Sequence, residues 1–315
     1  MIEEDLIGYD IIGDVHGHAD ALESLLLRLG YRSEDGCYRH SQRKAIFVGD
    51  LIDRGLRVRE TLQLVKAMWD RGSALVTVGN HEYNAVCYCT QDESGDWLRA
   101  HTRKNAHQFQ ATLDAFSDYP DEWSDYLSWF RSLPLFLDVG SFRVVHACWS
   151  QRHIDLIGDR RLEDEGFLRS SAIEGTDEFE AIETVLKGPE LALPEGITIA
   201  DKEGTVRSKV RTKWWIPIEG RSYRDMAFPE QEGLPTTQIN PGAVTDRWDV
   251  YPEKSLPVFV GHYWLPPQRP APYRNVVCLD YSVAKDGFLA AYRWTPGQEI
   301  SAEGFVTTAC SGQYD

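Results

Sequence analysis

Apolar runs of strand length recur along the chain, and five of them end at a polar residue that could bind a metal ion. These runs cover 9–12, 45–48, 75–78, 142–145 and 258–260. They are rich in Ile, Val and Phe without polar alternation, which is typical of strands buried on both faces. We therefore expect the polar residues at the carboxyl ends of the strands, where open α/β sheets usually bind ligands.

Helical patterns lie between the first strands. The stretch 19–29 repeats leucine at helical spacing and is followed by Gly30, a plausible helix end, and 58–69 shows the same periodicity. Two strand-helix units followed by a third strand indicate an α/β layered core. Two more strands are predicted at 275–279 and 288–294.

The remaining segments are predicted to decorate this core. The region after the third strand is polar, aromatic and helical in character, and the stretch up to about residue 251 is rich in Gly, Pro and charge. We interpret 1–315 as a single domain with cap insertions at roughly 84–130 and 151–250, the second made of helices and loops.

Composition limits the possible partners. The 315 residues carry 33 Lys+Arg and 49 Asp+Glu, a net charge of −16, which would repel a nucleic-acid backbone or an anionic membrane surface. The first residues lack a basic segment followed by an apolar one, and no apolar run approaches the roughly 20 residues of a membrane span. We expect a cytoplasmic protein that binds neither membrane nor duplex nucleic acid. The six cysteines form no CxxC pair and receive no role.

The polar residues at the strand ends form a candidate metal-ligand set: Asp14, His16, Asp50, Asn80, His146 and His262. Three oxygen and three imidazole ligands suit manganese, iron, zinc, cobalt or nickel better than calcium. One ion rarely needs six such ligands, whereas two ions that share a carboxylate would use them all. Asp50 is the expected bridge, because its strand should lie in the middle of the set. An isolated histidine is more often a packing residue, but the repetition at five strand ends favours a metal site.

These residues belong to longer motifs, which occur in the order Gly13-Asp14-Val15-His16-Gly17, Gly49-Asp50-Leu51-Ile52-Asp53-Arg54-Gly55, Gly79-Asn80-His81-Glu82, Val145-His146-Ala147 and Gly261-His262. The series resembles the signatures of the calcineurin-like metallophosphoesterase superfamily. The Asp-Arg-Gly of the second motif resembles the phosphoprotein phosphatase branch, with its bacterial serine/threonine phosphatases and symmetrical diadenosine tetraphosphatases. The resemblance implies an α/β four-layer sandwich of two mixed β-sheets flanked by helices, with a dinuclear metal site at the strand ends.

The resemblance also implies how the ligands are shared. Asp14 and His16 would bind the first ion, Asp50 would bridge, and the other three ligands would complete the second site. Manganese is the first choice for both ions, with iron, zinc, cobalt or nickel as alternatives. A hydroxide held between the ions would attack phosphorus in line, without a covalent phosphoenzyme.

Other motif residues match the needs of phosphoryl transfer. His81 is the candidate general acid for the leaving oxygen, and Asp53 resembles the family carboxylate that holds this imidazole. Arg54 offers a planar fork to non-bridging phosphate oxygens. The family pattern predicts a second phosphate-binding arginine before the last motif. We choose Arg211, beside an aromatic pair, over the alternatives Arg207, Arg221 and Arg247.

One position departs from the wider superfamily pattern. Many members carry Gly-His-x-His in the last motif, whereas Trp264 stands here in place of the second histidine. Because an indole cannot bind a metal ion, the first ion should have fewer protein ligands. This departure argues against the phosphodiesterase subfamilies that use the second histidine.

Together these features predict a dinuclear metal-dependent phosphohydrolase. Its substrate is left open between phosphomonoesters, including phosphoserine and phosphothreonine in proteins, and nucleoside polyphosphates. The dense aromatic residues between 214 and 273 are interpreted first as cap packing and second as a base-stacking wall. The alternative class is a non-catalytic binding or scaffold protein that retains the fold, which should have lost ligands or the acid first.

Overall fold

The computed structural model describes residues 6–200, 206–243 and 248–309. In chain order its helices and strands are β1 (Gly8–Ile12), α1 (Ala19–Arg28), β2 (Arg32–Glu34), β3 (Cys37–Arg39), β4 (Arg43–Phe47), α2 (Val58–Asp70), β5 (Ala74–Val76), α3 (Asn80–Tyr88), α4 (Arg103–Phe116), α5 (Pro120–Ser132), β6 (Phe136–Asp138), β7 (Arg143–Val145), α6 (Gln151–Ile157), α7 (Glu165–Ser171), α8 (Asp177–Lys187), β8 (Glu190–Ala192), β9 (Ile199–Ala200), β10 (Val206–Arg207), β11 (Lys209–Arg211), α9 (Tyr223–Met226), β12 (Val258–Val260), β13 (Val276–Cys278), β14 (Asp280–Tyr281), β15 (Phe288–Trp294) and β16 (Phe305–Thr307). All seven predicted strands and both predicted helices are present.

Two mixed sheets form the centre of the fold. The first has the order β14-β15-β1-β4-β5, with β16 paired to β15. Its strands β1, β4 and β5 are parallel, and β15 is antiparallel to β1. The second has the order β13-β12-β7-β6, in which β12 is parallel to both neighbours and β6 is antiparallel to β7.

Neighbouring residues along β1 and β4 pack into two different hydrophobic clusters. Ile11 and Ile46 of the first sheet pack with Phe259 of the second sheet in one buried cluster. Ile12 and Phe47 join the larger cluster, which also contains the inward leucines of α1 and α2. Both faces of these strands are therefore buried, as their unbroken apolar sequences predict, and the arrangement confirms an α/β sandwich flanked by helices.

The segment predicted to be the second insertion contains strands as well as the expected helices and loops. It contains the helices α6 to α9, but also two small antiparallel pairs, β8 with β11 and β9 with β10. A third unpredicted hairpin joins β2 and β3. β2 and β10 are fully exposed, so these pairs lack the buried apolar run by which the three-residue strands β5, β7, β12 and β13 are predicted. Within the described ranges, the helices are too short or too polar to cross a membrane.

A buried ion cluster ties three strands of the first sheet together. Asp10 of β1 is fully buried, and its Oδ1 accepts hydrogen bonds from Nε of Arg43 on β4 at 3.1 Å and Nε of Arg293 on β15 at 2.9 Å. Nη2 of Arg293 also donates to Oδ2 at 3.2 Å. Losing this carboxylate would leave the nearly buried Arg43 side chain without its counter-charge.

Substitution of Asp10 should therefore destabilise the fold. We expect Asp10→Ala to lower the free energy of unfolding by about 3–5 kcal/mol, the usual effect of breaking a buried ion pair. Urea unfolding at neutral pH measures the change. Asp20→Ala is the control, because Asp20 is exposed in its pair with Arg57 and should matter little. Similar small losses in both variants would contradict the role given to the cluster.

Candidate active site

The turns that follow the strands have unusual backbone conformations. Positive φ angles occur at His16, Asp50, Asp53, Arg54, His262 and Trp264, with values between 45° and 70°. Such conformations cost of order 1–3 kcal/mol each in residues other than glycine, and they concentrate at functional sites. Here they turn the chain sharply at the sheet edge, so that the side chains converge in the space above it.

Two glycines allow this close convergence. A Cβ atom on Gly261 would lie 1.9 Å from Oδ1 of Asp14, and one on Gly79 would lie 2.3 Å from Oδ1 of Asp50. No other residue type fits at these distances without moving a carboxylate. The motif glycines thus keep space for the acidic side chains.

The Asp50 carboxylate is the centre of the site. Its Oδ2 lies 3.3 Å from Nε2 of His146, 3.6 Å from Nε2 of His16 and 3.9 Å from Nε2 of His81. Its Oδ1 accepts a hydrogen bond of 2.9 Å from the backbone N–H of His81 at the start of α3. This central position agrees with the placement of β4 between β1 and β5.

The remaining ligand candidates lie beside it. Oδ1 of Asn80 is 3.1 Å from Nε2 of His146 and 2.6 Å from Nδ1 of His262. Oδ2 of Asp14 accepts a hydrogen bond of 2.9 Å from the backbone N–H of His262. The structure therefore brings together all six residues that the sequence assigns to metal binding.

Backbone contacts orient two of the imidazoles. Nδ1 of His16 donates to the carbonyl of Ile52, and Nδ1 of His146 donates to the carbonyl of Val48, both at 2.9 Å. A carbonyl only accepts, so in each neutral ring the lone pair of Nε2 faces the site. Burial, assisted by nearby cationic side chains, lowers the pKa of His16 and of His262 well below the usual value, which keeps these rings neutral.

His146 shows what the arrangement requires. Burial opposes its protonation, but the Asp50 carboxylate outweighs burial and raises the pKa of His146 to about 10. Nε2 of His146 faces two acceptor atoms, Oδ2 of Asp50 and Oδ1 of Asn80. Either a proton or a metal ion therefore has to lie between Nε2 and these oxygens. The buried atoms Asp14 Oδ1, His16 Nε2 and His262 Nε2 have no hydrogen-bond partner. This donor set fits divalent cations.

The donors form two groups that share one carboxylate. Within each group the potential ligand atoms lie no more than 4.8 Å apart: His16, Asp50 and His81 in one, and Asp50, His146 and His262 in the other. The sharing of Asp50 is the arrangement that a bridged pair of ions needs.

His81 is held by a short chain of hydrogen bonds. Its Nδ1 donates to Oδ2 of Asp53 at 2.5 Å, and the other Asp53 oxygen accepts from the Thr112 hydroxyl of α4. Burial lowers the pKa of His81, but the charges of Asp50 and Asp53 outweigh it and raise the pKa above its usual value. Nε2 is left to face the cleft, where His81 is slightly exposed.

Arg54 is stacked on an aromatic ring. Its guanidinium carbon lies 4.1 Å from the centre of the Trp264 ring, and Nζ of Lys285 lies 5.3 Å from the same ring. Trp264 stands at the sequence position where many superfamily members have a second histidine. Here its ring stacks with the guanidinium of Arg54 instead of binding a metal ion.

Arg211 also reaches the site. Its Nη1 donates to the carbonyl of His262 at 3.3 Å, and it lines the same cleft as Arg54. Of the alternatives, Arg207 also lines the cleft, Arg221 does not, and Arg247 lies outside the described residues.

Two buried carboxylates were given no role by sequence reasoning. Glu82 accepts three backbone hydrogen bonds, from Asp50 and Leu51 at 2.8 Å and from Gly79 at 2.9 Å. Asp280 accepts from the backbone of Trp264 at 2.6 Å and of Ser282 at 3.0 Å. Both fix the turns that carry the site. Glu82 belongs to the Asn80 motif and could have been noticed there, whereas Asp280 has no motif around it.

The site opens into a cleft of about 1040 Å³. Among the described residues that line it, nine are cationic: Arg54, Arg99, Lys104, Arg152, Lys187, Arg207, Lys209, Arg211 and Lys285. Only six are acidic, the reverse of the ratio in the whole chain. The cleft therefore favours anionic ligands despite the net negative charge of the protein.

The sequence resembles curated proteins over part of its length. An asymmetrical bis(5'-nucleosyl)-tetraphosphatase from Bacillus velezensis is 30% identical over 149 residues, which are 45% of this chain and 56% of that protein. A symmetrical bis(5'-nucleosyl)-tetraphosphatase from Vibrio cholerae is 33% identical over 138 residues, 44% of this chain and 43% of that protein. The matches thus span about half the length of these relatives.

A solved structure extends the likeness to the whole fold. A protein serine/threonine phosphatase from Saccharomyces cerevisiae aligns over 99% of this chain and 82% of its own, with a TM-score of 0.53 and 14% identity. At that identity the likeness concerns the fold alone. The sequence profile of the calcineurin-like phosphoesterases matches residues 9–189, more than half of the chain. This protein therefore belongs to the calcineurin-like phosphoesterase family.

Proposed function

We propose that this protein is a dinuclear metal-dependent phosphohydrolase that cleaves phosphomonoesters or nucleoside polyphosphates. Family membership implies divalent metal ions. The observation that carries the proposal is the convergence of five other candidate ligands around Asp50, several with buried and unpartnered atoms, at the floor of a cationic cleft. A scaffold protein would have no need to keep such atoms without partners.

The ligand assignment keeps Asp50 as the bridge but departs from the first group of donors, because it uses Asp14, as the family resemblance implies, in place of His81. Asp14 and His16 would hold one ion, Asp50 would bridge, and the remaining three ligands, Asn80, His146 and His262, would hold the other. When bound, two divalent ions, manganese in the first instance, lower the pKa of water in the site and neutralise charge on the phosphate. Nε2 of His81 lies 3.9 Å from Oδ2 of Asp50, and the bond of its Nδ1 to Asp53 suits a proton donor better than a ligand.

The chain's own residues supply the other requirements. Arg54, stacked on Trp264, and Arg211 would bind non-bridging phosphate oxygens through their planar guanidinium groups. As the oxygen of water bonds to phosphorus, the bond to the leaving oxygen breaks and His81 gives its Nε2 proton to that oxygen. Asp53 keeps the ring in the orientation that this transfer needs.

The relatives and the cleft favour nucleoside polyphosphates as the substrate class. Two relatives are named bis(5'-nucleosyl)-tetraphosphatases, and a linear polyphosphate matches a long cationic cleft. Half of the eight tryptophans and tyrosines suggested as a stacking wall are buried: Trp214, Trp215, Tyr251 and Tyr263. Three of the eight line the cleft: Trp248, Tyr263 and Trp264. Phosphoserine and phosphothreonine in proteins are the second candidate substrate class.

Metal reconstitution tests the whole proposal. We expect two divalent ions per chain at saturation, measured by elemental analysis, with hydrolysis of p-nitrophenyl phosphate and nucleoside polyphosphates appearing at that stoichiometry. One ion at saturation would contradict the bridged pair. A fully loaded protein without activity on any phosphomonoester, phosphopeptide or polyphosphate would favour the scaffold alternative.

His81 should matter most when the leaving group is poor. We expect His81→Asn to reduce kcat/KM for phosphoserine by about 10²–10⁴-fold and that for p-nitrophenyl phosphate much less, because nitrophenolate needs little protonation. Metal content measured in parallel should stay nearly constant. Equal losses on both substrates, with the metal retained, would remove His81 from the acid role.

Arg54 should favour a dianionic terminal phosphate over a diester. We expect kcat/KM for p-nitrophenyl phosphate to exceed that for bis-p-nitrophenyl phosphate. Arg54→Ala should lower the ratio of the two values, because the contact with Arg54 stabilises a dianionic phosphate more than a singly charged diester. Arg57→Ala is the control, since Arg57 pairs with Asp20 and does not line the cleft. An unchanged ratio in the Arg54 variant, or a diester preference in the wild type, would contradict this assignment.

A further inference from the structure

A further arginine that lines the cleft, Arg99, is held in place by several hydrogen bonds. Nη1 of Arg99 donates to Oδ1 of Asn84 at 3.0 Å, and Nη2 donates to Oδ1 of Asn105 at 3.0 Å and Oε1 of Gln108 at 3.3 Å. The Arg99 backbone N–H donates to the carbonyl of Cys87 at 3.1 Å. Nδ2 of Asn105 donates to the carbonyl of Ala100, so the amide presents its oxygen to Arg99. The guanidinium therefore has one well-defined position.

All three side-chain partners of Arg99 are neutral amides. Across residues 6–200, 206–243 and 248–309, no carboxylate comes within ion-pair distance of this guanidinium. Burial lowers the pKa of Arg99, and charges such as Glu183 and Asp53 only partly offset this effect. Elsewhere in the chain, Arg131 and Arg160 have carboxylate partners. A fixed charge without a counter-ion on a cleft wall is suited to an anionic ligand.

Helix α3 connects this arginine to the reaction centre. Asn80, His81, Asn84, Ala85 and Tyr88 all line the cleft, so one face of the helix runs along it. Asn84 lies one turn beyond Asn80, about 6 Å along the helix axis. Helix α4 places the guanidinium on the side of the site where Asp53 holds His81, because Gln108, which accepts from Arg99, lies one turn before Thr112, whose hydroxyl donates to Asp53. This is the side from which the leaving oxygen receives its proton.

We propose that Arg99, presented by Asn84, Asn105 and Gln108, is a subsite for an anionic leaving group, namely the phosphate next to the one under attack in a linear phosphoanhydride. Lys104, which also lines the cleft, adds positive charge next to this subsite. The inference rests on the proposed phosphohydrolase function and deepens it. It assigns the enzyme to phosphoanhydrides in preference to esters with uncharged leaving groups.

Two substrates that differ in the charge of the leaving group test the subsite. The metal-loaded wild type is assayed with inorganic tripolyphosphate and p-nitrophenyl phosphate, and the ratio of the two kcat/KM values is the readout. We expect Arg99→Gln to lower the tripolyphosphate to nitrophenyl ratio by about 10- to 100-fold, the size expected for a hydrogen-bonded charge pair. Equal losses on both substrates, or an unchanged ratio, would overturn the subsite.

Gln108→Glu tests the charge of Arg99 without removing the Arg99 side chain. It keeps the oxygen that accepts from Arg99 and adds a counter-charge, so the ratio should fall in the same direction by a smaller factor even if Arg99→Gln fails to fold. Arg103→Gln removes a cation from an exposed position of α4 that does not line the cleft, and it should leave the ratio unchanged. If the ratio falls as much in the Arg103 variant as in the Arg99 variant, the effect comes from the overall positive charge of the protein. That outcome would overturn the subsite.

The outcomes distinguish the subsite from the function on which it rests. A metal-loaded wild type that hydrolyses neither compound contradicts the phosphohydrolase proposal itself. Activity on both, with a ratio insensitive to Gln108→Glu and Arg99→Gln, contradicts the subsite alone. An Arg99 effect that appears with an acidic phosphoserine peptide and not with tripolyphosphate would also overturn the phosphoanhydride assignment.

Discussion

Five buried carboxylates within one small volume set the main constraint on this structure: Asp14, Asp50, Asp53, Glu82 and Asp280. A buried carboxylate is strongly destabilising unless hydrogen bonds or opposite charges compensate it. Glu82 and Asp280 are compensated by backbone N–H groups of the turns they fix. Asp14 and Asp50 instead keep oxygens directed at imidazoles or at no partner. The compensation is complete where the carboxylates support the turns and incomplete where cations would bind.

The electrostatics follow from this division. Burial raises the pKa of Asp14, Glu82 and Asp280, and their mutual repulsion with Asp50 raises it further. Although burial alone would raise the pKa of Asp50 as well, the surrounding imidazoles outweigh it and hold that pKa well below its usual value. The site therefore has an ionised centre surrounded by acids that resist ionisation. Divalent cations bound at Asp14 and Asp50 would reduce the repulsion between the carboxylates, because they would neutralise charge in place of protons.

The parts of the fold that the sequence predicts are those with an uninterrupted apolar run that is buried on both faces. β12 and β15 are found at the predicted bounds because each of their apolar residues packs into one of two cores. The candidate ligands were found because short turns after parallel strands deliver their polar residues to one edge. The small hairpins, in which β2 and β10 are exposed, gave no such signal.

Glu82 and Arg99 were not recognised from the sequence because their roles depend on contacts that sequence spacing does not show. An acidic residue in the first turn of a helix, such as Glu82, is common, so its contact with the Asp50 turn 31–32 residues away cannot be recognised from spacing. Arg99 is one of many charged residues in a polar segment, and its significance lies in the neutrality of its partners. The aromatic residues were interpreted mainly as packing, and the burial of Trp214 and Tyr263 agrees with that interpretation.

The order of strands in the first sheet has a consequence for how the protein is made. β1 lies between β4 and β15, and the backbone of His262 bonds a side chain 248 residues earlier in the chain. Contacts of such sequence separation carry a loop-closure penalty that grows by about 0.6 kcal/mol with each doubling of length, and they are typical of slow folding. During synthesis, Asp14 and His16 would leave the ribosome long before β12 and β15 exist to complete their surroundings. A nascent chain thus passes through a long stage in which five of the six candidate ligands have been made, but His262 and the strands that complete the site have not.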